Sequence, residues 1–216
     1  MTPDEMWIDL LRRYLIVKEV FIEGEETDPE LKTNLQPLNE FRALLDHTMR
    51  MLAEMLKQNE GSPEEAEIRF AAQYEKAKNH LCRAFYDICD LTSINYRNMI
   101  VQLLEPYSND VIQAVIPEYY SRIRPRIDEI NQEIAGFRSR KGTDDAELDR
   151  FDQYHTMLQE LKSLHKEIAS HSGALAESAS RAKAADVASR RFDIKLGLVC
   201  AAVGAVVGFI LSAIFL

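Results

Sequence analysis

The last stretch of the chain, Leu196 to Leu216, reads LGLVCAAVGAVVGFILSAIFL and holds no charged residue. As an α-helix rising 1.5 Å per residue it extends roughly 30 Å, the thickness of a bilayer's hydrocarbon core. That length without a charge predicts a transmembrane helix rather than a helix of a protein core. A signal peptide would sit at the other end behind basic residues, whereas this chain opens MTPDEMWIDLL. A GPI-type signal does not fit either, because Arg190, Arg191 and Lys195 stand where its polar spacer belongs. Arg181 and Lys183 add to that basic segment, against only Asp186 and Asp193, and basic residues beside a span stay on the cytoplasmic side. The expectation is a single C-terminal tail anchor in a lipid bilayer, with the N-terminal domain cytosolic.

The roughly 195 residues before it suffice for one good core, or a core with an extended arm. A net charge of -9 argues against general affinity for nucleic acid. The acid lies early, in EGEETDPE, while the segment before the apolar end is basic, the distribution that anionic lipid favours. Cys82 and Cys89 are two helical turns apart and cannot bridge, and Cys200 lies in the apolar run. No cysteine or histidine pair has zinc spacing, so no metal and no cofactor is expected.

Thr2 and Pro3 mark a helix start, and apolar residues recur at helical spacing from Met6 to about Phe21; GEETDPE then reads as a mobile acidic loop. A second helix spans about Leu35 to Gln58, with Phe41, Leu44, Leu45, Thr48, Leu52, Met55 and Leu56 as its apolar face. Ser62 and Pro63 start a third, long helix reaching Leu104, with Ile68, Tyr74, Leu81, Phe85 and Ile88 among its inward residues. From Ile112 to Phe137 isoleucines recur in steps of three and four, close to a heptad seam, and Pro117 and Pro125 predict a kink or a break. RSRKG makes a basic turn, Thr143 caps a fifth helix with an acidic first turn, and a seam from Leu148 to Ile168 predicts an antiparallel hairpin. After Ser170 the segment is alanine-rich with small polar residues. The fold class is therefore all-α: a membrane-distal helical bundle (1–106), an antiparallel helical hairpin (107–170), a basic stalk (171–195) and one C-terminal transmembrane helix (196–216).

The densest polar cluster is shared by the second and third helices. Arg42, Asp46 and Arg50 stand four apart on one, and His80, Arg83 and Asp87 stand three and four apart on the other. Such spacings put side chains on one helix edge, so the two edges can interlock as an ion-pair ladder or form a polar site with His47 or His80 as its titrating group. The strings NEFRALLDHTMR and EKAKNHLCRAFYD resemble elements of bacterial helical proteins akin to the HEPN superfamily. In its catalytic members an arginine and a histidine four to six residues apart on one helix cleave RNA. The resemblance implies that role for Arg42 with His47, or Arg150 with His155, although Ala43 and Phe151 replace the polar residue usual after the arginine.

No P-loop, GxSxG, HExxH or glycine-rich dinucleotide turn is present. In the apolar end, Gly204 and Gly208 form GxxxG and Ser212 extends the row, a pattern through which helices self-associate in lipid. Two functions follow as expectations. One is an oligomerising interaction or scaffold module, a homo-oligomer that presents its bundle to a cytosolic protein partner and not to nucleic acid. The other is a membrane-tethered, metal-independent RNase of the HEPN kind.

Overall fold

A long helix, Pro63–Leu104, forms the spine of the molecule, and three of the other helices lie along it. In the computed structural model, residues 1–30, 34–56, 62–139 and 147–214 are described, with side chains omitted at 138–139, 147–150 and 206–214. They form α1 (Pro3–Thr27), α2 (Leu35–Leu56), α3 (Pro63–Leu104), α4 (Asn109–Val115), a π-helical turn (Tyr119–Ile123), α5 (Arg124–Ser139), α6 (Glu147–Ser170) and α7 (Ser172–Ile214). No strand occurs among the described residues. The all-α reading holds for these residues.

The helix starts are set by local chemistry. The Thr2 hydroxyl accepts the Glu5 amide at 3.3 Å while the Glu5 carboxylate accepts the Thr2 amide at 2.8 Å, a reciprocal capping box ahead of Pro3. Ser62 accepts the Glu65 amide at 3.2 Å in front of Pro63, and Ser108 caps α4. The predicted break falls at Pro117, with α4 stopping at Val115; at Pro125 there is no break, because the π-helical turn runs straight into α5 with the Arg124 amide donating to the Tyr119 carbonyl. The Thr143 cap and its surrounding turn lie outside the described residues.

Cross-helix contacts give the directions. Trp7 meets Phe70 and Asp9 meets Tyr74, so α1 runs parallel to α3; Glu54 meets Arg69 and Glu40 meets His80, so α2 runs antiparallel. Farther along α3, Phe151 stacks on Phe85 at 3.9 Å and His165 packs on Tyr96 at 5.5 Å, placing α6 parallel to it. α5 returns antiparallel to α6, with Arg126 gripping Glu160 through two 2.7 Å bonds, the predicted hairpin geometry. Phe85, Tyr154, Leu161 and Ile168 are fully buried in a core that runs on without a break into the first three helices.

Two expectations change. α1 does not end at Phe21 but continues to Thr27, and Glu23 and Gly24 are buried. The reason is Gly24, which continues the inward row of Leu10, Val17 and Val20. A Cβ there would lie 2.9 Å from Thr92 Oγ1 and 3.3 Å from Ile88 Cγ2, so only glycine lets α1 close onto α3 at that height. The second correction concerns the C-terminus. No helix among the described residues is long and apolar enough to cross a membrane, which overturns the transmembrane helix. The turns just before Leu196 carry Arg190, Arg191, Asp193 and Lys195. Leu175 ties the start of α7 into the core, while every side chain from Ser180 to Ala205 is exposed.

Substituting Gly24 by valine should destabilise the fold by roughly 1–3 kcal/mol, because the added Cβ alone already crowds Thr92 and Ile88 and the methyls add further bulk. Urea unfolding of the two proteins measures it, and equal midpoints would contradict the close approach of α1 to α3.

Candidate functional site

The polar cluster foreseen on α2 and α3 is present but pairs differently. Asp46 and Arg50 bond at 2.9 Å along their own helix and are both more than half exposed, so they do not reach α3. The bridge between helices is made by Glu40, which takes the His80 ring nitrogen at 2.7 Å and has Arg83 at 3.9 Å. His47 stacks on His80 with ring centres 5.3 Å apart and pairs through Nδ1 with Gln73 at 2.8 Å. Arg42 is exposed, and Asp87 is half-buried on α3. An exposed i,i+4 pair such as Asp46–Arg50 contributes about 0.3–0.5 kcal/mol.

The two arginine–histidine pairs part company in the fold. His47 lies against His80, whereas His155 packs its ring against Phe85 with Gln159 at 3.3 Å. The side chain of Arg150 lies outside the described residues. Gly204 has open space around its Cβ position, and the side chains of Gly208 and Ser212 lie outside the described ones. Among the described residues no group of three histidine, cysteine or acidic side chains could hold a metal ion.

A second polar cluster escaped the sequence reading. Glu23 is buried between α1, α3 and α6; its carboxylate accepts the Tyr96 hydroxyl and takes Lys162 Nζ at 2.9 Å. Burial and the bond to Glu23 both raise the Tyr96 phenol above its ordinary range. Thr27 and Asn95 continue the cluster. It locks α6 against α1, with both carboxylate oxygens satisfied, and so serves the fold. Nearer the other end of α1, burial tends to raise the Asp9 acid, but bonds from Arg13 and Tyr74 outweigh it and hold Asp9 below its ordinary value.

The most unusual feature is apolar. α1 and α2 both lean on α3 and splay from each other over part of their length. They enclose a groove of about 650 Å³ lined by Trp7, Leu11, Tyr14, Phe41, Leu45 and their neighbours. The groove is pinned at one end where Trp7 Nε1 meets Met55 Sδ at 3.0 Å, and at the other where Phe21 meets Phe41 edge-on at 5.4 Å. Along α1 its rim carries Ile8, Leu11, Leu15 and Ile22, exposed by 45 to 57%. Along α2 the row is Leu38, Leu45, Met49, Leu52 and Leu56, also exposed. The sequence did mark Leu11, Leu15, Leu45, Leu52 and Leu56 as parts of apolar faces, without saying which of those residues meet the core. The core side of α2 is instead Leu44 and Met51. Likewise, Ile68 on α3 faces out while Phe70 and Tyr74 face in. The available signal was the excess width of the apolar stripes, more than α3 alone can cover.

Comparisons with protein-family models, curated proteins and solved structures found no match to this chain. The HEPN resemblance therefore rests on its quoted strings alone.

His165 yields a pH prediction. Burial against Tyr96 lowers its pKa below the ordinary 6.5. The unfolded chain then binds the proton more readily, so this contribution to stability is present above about pH 6.5 and is lost as the pH falls toward the folded value. Urea midpoints between pH 8 and 5 should drop less steeply for His165→Gln than for the parent; parallel profiles would contradict the assignment.

Proposed function

We propose that this chain is an interaction and scaffold module, a helical body that joins copies of itself through an apolar face left uncovered by its own core. The carrying observation is the double row on α1 and α2. From their fractional exposures these side chains present roughly 900 Å² of apolar surface, beyond the 300–600 Å² of the largest patch on an ordinary monomer. Exposed leucines scattered singly need no explanation, but a contiguous face of this size does.

Two further features support the reading. The polar clusters are paired inward and hold helices together: Glu40 with His80, and Glu23 with Tyr96 and Lys162. A second uncovered surface is α7, whose exposed Phe192, Ile194, Leu198 and Val203 have no cover from the body. A helix in globular proteins owes most of its stability to packing of an apolar face, so such an element gains from a partner helix.

The test is the mass of the full chain in solution across a dilution series. The parent should associate, and Leu11→Glu combined with Leu45→Glu should weaken association at least about tenfold, which corresponds to roughly 1.4 kcal/mol. Because both positions are more than half exposed, the stability of the single chain should move by no more than about 0.5 kcal/mol each. A parent that stays monomeric at all concentrations would overturn the proposal.

A further inference from the structure

We infer that the occupant of the α1–α2 groove is α1 of a second copy, the two chains exchanging α1 ridges about a two-fold axis that runs along the helices. This rests on the proposal that the chain assembles with itself and adds the surface and geometry by which it does so. An isologous interface requires one face to be complementary to itself. This face meets that condition, because it carries a ridge, Ile8, Leu11, Leu15 and Ile22, directly beside a groove.

The spacing fits a packed helix pair. The ridge residues advance by three, four and seven, and Leu38, Leu45 and Leu52 on α2 advance by sevens with Met49 and Leu56 between and beyond them. These are heptad positions, whose side chains seat as knobs between four residues of a facing helix. The exposed area of roughly 900 Å² matches the approximately 800 Å² per partner of a standard stable interface.

The charges fit as well. Each apolar row is interrupted once by a cation, Lys18 on α1 and Arg42 on α2. Within one chain Trp7 lies level with Met55 and Phe21 with Phe41. Lys18 therefore lies within a turn of the height of Asp46, and Arg42 within a turn of that of Glu19. Rotation about an axis along the helices keeps these heights, so each cation comes level with an exposed carboxylate of the other copy, Glu19 or the Asp46 that also pairs with Arg50 on its own helix. In the same arrangement α1 of one chain runs antiparallel to α2 of the other, the sense in which helix dipoles attract.

The experiment uses the full chain with Cys200→Ser, which removes the exposed thiol and leaves buried Cys82 and Cys89. Leu15→Cys at the centre of the ridge should oxidise to a covalent dimer, since a disulfide needs Cα atoms within about 7 Å. Glu67→Cys, exposed on α3, should not. Lys18→Glu should reduce the yield of the Leu15→Cys dimer, and adding Asp46→Lys should restore it. Absence of the cross-link in a chain that still sediments as an oligomer would overturn this interface and leave self-assembly standing. Absence in a monomeric chain would overturn both. Equal cross-linking at positions 15 and 67, or a charge swap that restores nothing, would also contradict the arrangement.

Discussion

The architecture depends on the burial of α3 on several sides at once. A helix normally hides one stripe, but α3 buries Ala77, Leu81, Ala84, Phe85, Ile88 and Cys89 within four turns, and no single neighbour can cover that breadth. α1 and α2 take its first half; α1 and α6 take its second. Small residues decide how close each approaches. Gly24 on α1 meets Thr92, and Thr92 and Ser93 turn their hydroxyls back onto the α3 carbonyls of Ile88 and Cys89, presenting little bulk. Where the neighbours are polar they are locked rather than free, as with Glu23 held by Tyr96 and Lys162.

A helix used as a spine leaves its clients unequal. α1 and α2 spend their better-packed sides on α3, and the sides they turn to each other meet at Trp7–Met55 and around Phe41. Three helices arranged this way are most of a four-helix bundle, an architecture whose core is closed by the fourth member. On the proposed assembly, the apolar rows on both rims mark the place that a fourth helix fills. This is the physical link between the packing of the spine and the proposed assembly.

Much of this was legible in the sequence. The caps at Thr2 and Ser62, the break at Pro117 and the antiparallel hairpin all follow from local chemistry or short-range periodicity, and they stand in the structure. Three-dimensional choices were less legible. Periodicity shows that Leu44 and Leu45 are both apolar but not which one faces α3, and Leu45 faces out. The acidic run after Phe21 looked like a loop because composition outweighed the inward row that ends in Gly24. The polar cluster was placed on the right helices, yet Glu40 rather than the Arg42–Asp46–Arg50 edge makes the bridge. The apolar C-terminal stretch predicted a span that no helix among the described residues provides.

The central claim, that α1 and α2 form an assembly face, is tested most directly by hydrogen exchange of the full chain at low and high protein concentration. The account predicts that amides of α1 and α2 gain protection as concentration rises, while those of the α5–α6 hairpin do not change. Protection on α1 and α2 that is independent of concentration, or a gain confined to α7, would contradict it.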